Sequence, residues 1–358
     1  MKNIIKNLVV VVLIIFAFSS CEDWLDVTTS AEIDADDQFQ TEQGFKDALI
    51  GVYIGMTVPE LYARDMTYNI VDLLSQQYET LPTLAQFDQV QRYEYQNVFA
   101  SNQIDNLWAK NYNVIANINA ALGYIDAKEN IIDPINFKLI KGELLGLRAF
   151  IHFDLIRLYN LGNLADRPNG NGELAIPYVT EYTKGLTSQK SYIETFELME
   201  KDIKDAIELL AIVDPIYQET SRPSNYYDQV NLDGFFNDRE QRMNYYAVKA
   251  LQARVLLWQG TTEKIQAAQI AAEEVINKSQ KMLINSGSYP ITSDPILYSE
   301  VVFALDVNAL ESINQRFLNG DVNTAYDALL ISTSKADEVY ETSNVNIGIP
   351  DIRYNTLL

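Results

Sequence analysis

The sequence has one cysteine and one histidine in 358 residues, so it lacks the side chains from which most disulfide and metal sites are built. A single cysteine excludes an intramolecular disulfide framework, and a single histidine excludes a histidine-rich metal site. Basic residues are also scarce, with 27 Lys and Arg against 49 Asp and Glu and a formal net charge of −22. Because proteins bind phosphate backbones through clustered Lys and Arg, we expect no nucleic-acid partner, and we expect no metal or other cofactor.

Long apolar runs are absent after the N-terminus, where one run of eleven residues extends from Leu8 to Phe18. Lys2 and Lys6 precede this run, and Ser19 and Ser20 follow it. A helix that spans a bilayer needs about 20 apolar residues, so the run is typical of a signal peptide. We therefore predict that residues 1–20 are removed on export.

The only cysteine, Cys21, comes directly after this segment, where a lipoprotein carries the thiol that is acylated. Phe18 stands where an aliphatic residue is usual, a small departure from the lipobox pattern. Removal of residues 1–20 leaves 25 basic residues against 49 acidic ones, a formal charge of −24. The mature protein is predicted to be acidic, exported and held by lipid on Cys21, with a polar leader over residues 21–40.

The rest of the chain shows the periodicity of helices. Apolar residues recur at three-to-four spacing over Thr41–Tyr53, residues 103–126, residues 136–160, Tyr192–Leu210 and Arg242–Ser279, the last broken at Gly260. Small residues around Gly260 favour close approach of two antiparallel helices, as in a tetratricopeptide-type hairpin. Alternating runs are limited to Ala175–Val179 and Ile296–Ala304, which predict short strands, and long irregular connections fall at 162–172, 214–240 and 285–295. The predicted fold is mainly α, with helical hairpins, long loops and few short strands.

Five blocks in this order resemble the SusD/RagB family of nutrient-uptake lipoproteins. Following the lipidated cysteine, they read CEDWLDV, LWAKNYNVIANINAAL, ELLGLRAFIHFDLIRLYNLG, AIPYV and RMNYYAVKALQARVLLWQGTTEKIQAAQIAAEEVI. Each block alone is only a helix or loop pattern, whereas together with the lipobox they form a specific signal. The acidic Glu22 and Asp23 also resemble the surface-export signal of Bacteroidetes lipoproteins.

The resemblance implies a surface-exposed outer-membrane lipoprotein built on tetratricopeptide-like helices. Such proteins act with a SusC-like TonB-dependent transporter and capture nutrients, typically oligosaccharides. The resemblance covers about residues 21–310, so we expect a SusD-like helical domain over 41–310. Family members usually continue past the segment that resembles GIPDIRYNTLL, and residues 311–358 are therefore interpreted as the start of a C-terminal portion.

Glycan binding needs aromatic faces for the C–H faces of sugars and polar groups for their hydroxyls. Trp24 lies beside the anchor, and Trp108 and Trp258 lie in helical stripes and are predicted to be core, so the 22 tyrosines are the better candidates. Two tyrosine-bearing regions, 62–97 and 215–238, stand between predicted helices. The candidate ligand-binding residues are Tyr62, Arg64, Asp65, Tyr78, Arg92, Tyr93, Tyr95, Asn225, Tyr226 and Tyr227.

Catalysis and metal binding receive less support from the sequence. The lone His152 lies beside an apolar stripe and is predicted to be a packed, hydrogen-bonded residue. The cluster Asp34, Asp36 and Asp37 lacks the spacing and the glycine of an EF-hand. Glycoside hydrolysis needs two carboxylates about 5 to 9 Å apart, and the sequence selects no pair among its acids. We therefore expect a non-enzymatic glycan-capture protein; a surface glycoside hydrolase and a structural transporter lid or adhesin without its own ligand stay open as alternatives.

Overall fold

The structure, a computed structural model, describes residues 35–167, 170–217, 228, 230–283, 296–318 and 325–348. In these ranges the α-helices are α1 (Ala35–Gln38), α2 (Glu42–Met56), α3 (Ile70–Leu74), α4 (Asp88–Gln91), α5 (Val98–Ile125), α6 (Pro134–Tyr159), α7 (Tyr192–Val213), α8 (Tyr245–Gln259), α9 (Thr262–Lys278), α10 (Leu310–Leu318) and α11 (Thr333–Val339). Helix α1 belongs to a unit that ends at Gln38, and the other helices belong to a second unit that starts at Phe39. The mainly helical class predicted from the periodicity is confirmed.

The helix starts are set by local capping residues. Thr41 accepts a hydrogen bond from the Gly44 N–H at the start of α2, and Asn97 does the same for Phe99 at the start of α5. Pro134 follows the capping Asp133, as expected for a residue that tolerates the first helical position but lacks an N–H. Because Asn97 supplies a cap, α5 begins at Val98 rather than at residue 103, the predicted start.

Helix α6 is the centre of the second unit and packs against α2, α5, α7 and α8. Its buried residues cover nearly all sides of the helix, including Glu143, Arg148 and His152. Helices α8 and α9 form the predicted hairpin, whose turn contains Gly260 in a left-handed conformation with φ +73°. Among the helices of the described residues, none is both long and apolar enough to cross a membrane.

The short strands expected at Ala175–Val179 and Ile296–Ala304 are wrong, since the described residues form only one isolated antiparallel bridge, between Leu174 and Ser191. Helical side chains satisfy the backbone of the first run: Asn119 Nδ2 donates to the Val179 carbonyl over 2.9 Å, and the Val179 N–H donates to His152 Nε2 over 3.0 Å. Backbone groups paired in this way have no need of a neighbouring strand. The second run contains a 3₁₀ turn, Tyr298–Glu300.

A separate apolar cluster supports the segment between α2 and α5. It contains Ile70, Leu73, Leu81, Phe87 and Val90 from this segment, and Phe317 and Leu329 from the distant C-terminal part of the sequence. The rings of Phe87 and Phe317 meet edge to face with centroids 5.8 Å apart. The segment that carries most of the predicted ligand residues therefore has an apolar core beneath it.

Candidate ligand-binding site

Arg92, Tyr93 and Tyr95 follow α4 directly and are brought together on the surface. Tyr93 is 50% exposed and Tyr95 is 44% exposed. Their ring centroids lie 6.2 Å apart at an interplanar angle of 63°. Exposed aromatic rings offer an apolar face to a ligand, and the hydroxyl of a tyrosine lets the ring stay in contact with water. The two rings therefore form an exposed aromatic pair, which we call the tyrosine pair.

The backbone of Tyr93 has a left-handed conformation with φ 60°, which is unfavourable for a residue with a large side chain. Two hydrogen bonds hold it: the Tyr93 hydroxyl donates to the Leu74 carbonyl over 2.7 Å, and Gln76 Nε2 donates to the same hydroxyl over 3.1 Å. Gln76 is itself left-handed, with φ 59°, and also donates to the Gln91 carbonyl. Local strain that the surroundings hold in place is frequent at binding sites.

Charged and polar groups flank the tyrosine pair. Arg92 Nη2 donates to Asp88 over 2.7 Å and Arg92 Nε donates to Glu94 over 2.9 Å, so this guanidinium is oriented by two carboxylates. Partial burial, and then the neighbouring Tyr93, raise the pKa of Tyr95 above its ordinary value. The Tyr95 hydroxyl therefore stays protonated at neutral pH and offers both a donor and an acceptor to a ligand.

The other predicted residues of this segment make contacts within the scaffold. Arg64 forms a two-point ion pair with the buried Asp65, at 2.6 and 3.0 Å, and its guanidinium lies 5.3 Å from the centroids of the Phe87 and Phe317 rings. The Tyr78 hydroxyl donates to the Tyr68 carbonyl over 2.8 Å. These contacts order the segment that carries the tyrosine pair. Cys21, Asn225, Tyr226 and Tyr227 lie outside the described residues.

Tyr62 lines a cavity of about 780 Å³ that we call the Phe303 cavity. Its hydroxyl donates to Asp154 over 3.0 Å, and burial followed by the Asp154 charge raises its pKa well above the ordinary value. Phe150, Phe303 and several aliphatic side chains make the lining of this cavity mainly apolar.

A second cavity, of about 550 Å³, is called the Leu74 cavity here. Its lining consists of Met66, Thr67, Val71, Leu74, Ser75, Asp154, Arg157, Leu158 and Trp258. Leu74 connects it to the tyrosine pair, because the Leu74 carbonyl accepts the hydrogen bond from Tyr93. Asp154 is the one carboxylate in this lining, and it already accepts hydrogen bonds from Tyr62 and Arg157.

Trp258 corrects an expectation from the sequence, since it is only partly buried and lines a cavity rather than lying in the core. Trp108 is likewise partly buried, and packs against Tyr112 and Tyr159 at centroid distances of 4.8 and 4.9 Å. The apolar stripe of α8 indicates which face is turned inward, but Trp258 lies in the last turn, where the helix reaches the edge of its neighbours. Gly260, two residues later, marks the end of the helix, and this was the sequence signal that Trp258 lies near a helix end rather than in the core.

A family model described as "Starch-binding associating with outer membrane", SusD-like, matches residues 23–226, which is more than half of the chain. The chain belongs to the SusD-like family. A curated family protein, "SusD-like protein P25" of Formosa agariphila, is 21% identical over 312 residues, which cover 84% of this chain and 52% of that protein.

Solved structures agree with this SusD-like assignment at the level of the fold. A SusD superfamily protein from Bacteroides thetaiotaomicron has a TM-score of 0.61 at 17% identity, covering 84% of this chain and 63% of that one. A SusD-like carbohydrate binding protein from Bacteroides vulgatus has a TM-score of 0.59 at 17% identity, with 84% and 58% covered. The chain thus spans roughly half to three fifths of the length of these relatives.

Proposed function

We propose that this SusD-like chain is a glycan-capture lipoprotein of the outer-membrane surface, and that it binds oligosaccharides reversibly without cleaving them. The observation that carries the proposal is the exposed tyrosine pair, in which the strained Tyr93 is held by a hydrogen bond to Leu74, a residue that lines the Leu74 cavity. The starch-binding description of the family supports a carbohydrate as the ligand. Delivery to a SusC-like TonB-dependent transporter is part of the proposal and rests on the family resemblance.

In the proposed binding mode, the C–H face of a sugar packs on Tyr93 or Tyr95 and its hydroxyls bond to polar groups nearby. Aromatic rings supply apolar contact without loss of many rotamers, because they have only two side-chain torsions. Thr67 and Ser75 in the Leu74 cavity offer hydroxyl oxygens as acceptors to the next sugar of the oligosaccharide, since each donates its own proton to a backbone carbonyl. The sum of several such weak contacts suits a protein that must release its ligand to a transporter.

Isothermal titration of the mature protein against a panel of plant and host oligosaccharides tests the proposal. Tyr93→Ala should weaken binding about tenfold, because it removes a stacking ring, whereas Tyr93→Phe keeps the ring and should retain most of the affinity. Tyr182→Ala is the matched control, since Tyr182 is 65% exposed and contributes to none of the cavities described above. Absence of binding by the folded protein to every glycan would refute capture, and release of new reducing ends would favour the hydrolase.

The lipid anchor is tested separately from the ligand. Cys21→Ser should release the protein from the membrane fraction and remove the acyl mass from its N-terminus, because only a thiol is acylated at this position. Fractionation and mass spectrometry of the purified protein measure both effects. If the serine variant stays in the membrane fraction and its mass differs from that of the parent protein only by the substitution, lipidation at Cys21 would be contradicted.

A further inference from the structure

A third cavity, of about 460 Å³, lies where α6 and α8 end, and we call it the Asn163 cavity. Its lining includes Phe153, Arg157, Asn163, Arg254, Trp258 and Gly260. Arg157 and Trp258 also line the Leu74 cavity, so the two cavities share a wall. Leu74, which lines the Leu74 cavity, also accepts the hydrogen bond from the Tyr93 hydroxyl. The two cavities are thus neighbours, and one residue of the Leu74 cavity is bonded to the tyrosine pair.

The lining of the Asn163 cavity contains two guanidinium groups and no carboxylate. This is unusual in a chain that carries 49 acidic residues against 27 basic ones. Arg157 Nη1 lies 2.8 Å and Arg254 Nη2 lies 3.5 Å from the same oxygen, Oδ1 of Asp154. One carboxylate is thus shared by two cations, and the side chains of Arg157 and Arg254 remain 43% and 44% exposed. The local charge balance favours a ligand with one negative charge.

Phe153 fixes the orientation of the two guanidiniums. Arg157 and Arg254 lie 5.8 and 5.4 Å from the centroid of the Phe153 ring, which is within the range of cation–π contacts. Each arginine uses one terminal nitrogen toward Asp154, and the remaining N–H groups make no hydrogen bond to another described residue. Because a guanidinium recognises a carboxylate through two parallel N–H groups, both side chains are suited to bind one.

Other parts of the lining point to a sugar rather than a small inorganic anion. Trp258 meets Phe153 edge to face, with centroids 6.1 Å apart and an interplanar angle of 90°. The Trp258 Nε1–H is buried and has no hydrogen-bond partner among the described residues. Both α6 and α8 also end at this cavity, and the carbonyl groups at helix C-termini favour hydroxyl donors on a ligand. A ligand with hydroxyl donors as well as a carboxylate suits this mixture.

We propose that the Asn163 cavity binds the carboxylate of an acidic sugar, with Arg157 and Arg254 as its specificity-determining residues. This inference rests on the proposed function and names the class of glycan, a uronic-acid oligosaccharide. Neighbouring sugars of the same chain would lie in the Leu74 cavity and on the tyrosine pair. The guanidiniums then select for charge, while the tyrosine pair binds the face of any sugar.

Matched pairs of ligands test charge selection directly. Uronic-acid oligosaccharides of the galacturonate, glucuronate and mannuronate/guluronate types are titrated beside their carboxyl-reduced forms, which keep the linkages and lose the charge. At least one acidic oligosaccharide should bind about tenfold or more tightly than its reduced form, because charge-assisted hydrogen bonds are about twice as strong as neutral ones. Affinity for the acidic form should fall as salt rises, and affinity for the reduced form should not.

Variants assign the effect to the two arginines. Arg157→Gln and Arg254→Gln should each remove most of the preference for the acidic form, with a smaller effect on binding of the reduced form. Arg254→Lys should keep part of the preference, since the charge remains and the two-point geometry is lost. Lys110→Gln is the control, because it removes the same charge from an exposed side chain that lines none of these three cavities.

The outcomes separate the two proposals. Equal affinity for acidic and reduced forms, or a preference that survives in both glutamine variants, would overturn the acidic-sugar inference while glycan capture stands. Failure of both forms of every uronic-acid oligosaccharide to bind the folded protein would overturn the inference; failure of the plant and host oligosaccharides as well would overturn the proposed function. Competition by millimolar phosphate or acetate alone would show a general anion site and would also overturn it.

Discussion

At the scale of single residues, His152 shows how the fold uses its only imidazole. It is fully buried, its Nδ1 lies 2.8 Å from the Arg148 carbonyl, and its Nε2 accepts the Val179 N–H. The ring stacks on Tyr178 with centroids 4.0 Å apart. These contacts fix a neutral tautomer, and the sequence-based prediction of a packed, hydrogen-bonded histidine is confirmed.

His152 should make the protein less stable in mild acid. Burial is the largest of the causes that lower the pKa of His152 to about 3. The hydrogen bond to the Arg148 carbonyl acts in the opposite direction, and the charge of Arg148 contributes to the lowering. The histidine of the unfolded chain has a pKa of about 6.5, so below pH 6.5 the unfolded chain binds up to one more proton than the folded protein. The free energy of unfolding should therefore fall by up to about 1.4 kcal/mol per pH unit between pH 6 and pH 5. Guanidinium denaturation measures this slope.

Proton NMR provides an independent check, because the chain has a single histidine and its imidazole signal needs no assignment. That signal should stay constant from pH 8 to pH 5 in the folded protein and titrate near pH 6.5 in denaturant. A folded-state midpoint above pH 5 would contradict the buried neutral imidazole.

Glu143 gives a second prediction at this scale, since it is the carboxylate in a buried group of charges. It accepts hydrogen bonds from the Tyr53 hydroxyl and from Arg239 and Arg242, and Asp214 completes the group by pairing with Arg239. Burial alone would raise the pKa of Glu143, but the charges of Arg242 and Arg239 hold it below its ordinary value. The charge of Glu143 therefore stabilises the fold fully above the pKa of an unfolded glutamate, and this contribution is lost as the pH falls from there through the lowered pKa of the folded state.

Glu143→Gln should lower the free energy of unfolding by about 3 to 5 kcal/mol, because it leaves two buried guanidiniums with one carboxylate. Glu208→Gln is the comparison, since Glu208 is exposed and pairs with Lys204 at 3.7 Å. Glu208→Gln should lower the free energy of unfolding by less than about 1 kcal/mol. Urea denaturation at pH 7 measures both, and similar losses in the two variants would refute the role assigned to Glu143.

At the scale of elements, two glycines determine how closely α6 approaches its neighbours. A Cβ at Gly142 would lie 2.7 Å from Leu210 Cγ on α7, and one at Gly146 would lie 2.7 Å from Met243 Cγ and 2.9 Å from Val248 Cγ2. Such distances are too short for real contacts. The glycines therefore allow a close approach of helices at some cost in helix propensity.

Alanine substitutions at one glycine in α6 and one in α5 should change the stability of the protein in opposite directions. Gly146→Ala should destabilise the protein by about 1 to 2 kcal/mol, because overpacking outweighs the gain in helix propensity. Gly123→Ala in α5, where a Cβ meets nothing within 4 Å, should stabilise it by about 0.5 to 1 kcal/mol. Thermal and urea denaturation measure the two changes, and a stabilising Gly146→Ala would show that Met243 moves aside without cost.

Most helices could be predicted from the sequence, because apolar spacing and capping residues are local signals. The strand expectation at Ala175–Val179 failed because side chains of two distant helices, Asn119 and His152, pair with its backbone. The tyrosine-bearing segment as a ligand region stays a prediction, and the left-handed conformation of Tyr93 could not be predicted, since it depends on contacts with Leu74 and Gln76. Trp258 and the arginine pair were missed because a sequence does not show where two helices end side by side.

At the scale of the whole molecule, the dominant property is the net charge of −22. Like charges spread over a compact surface repel one another and favour expansion, and salt screens this repulsion over about 10 Å at 0.1 M. The melting temperature should therefore rise by a few degrees between low salt and 0.15 M NaCl. Calorimetry at constant pH, with sucrose of equal osmolarity as the control, measures the effect; a fall in melting temperature would mean that favourable ion pairs dominate.

The two hydrogen bonds on the Tyr93 hydroxyl have a consequence for the speed of binding. A ring fixed before the ligand arrives loses little conformational entropy on contact, and no side-chain rearrangement has to precede or follow the encounter. Association should then follow a single exponential whose rate is proportional to ligand concentration. Loss of the hydroxyl in Tyr93→Phe would let the ring move. The variant should therefore associate with the ligand more slowly than the unmodified protein, although the contacts in the final complex change little.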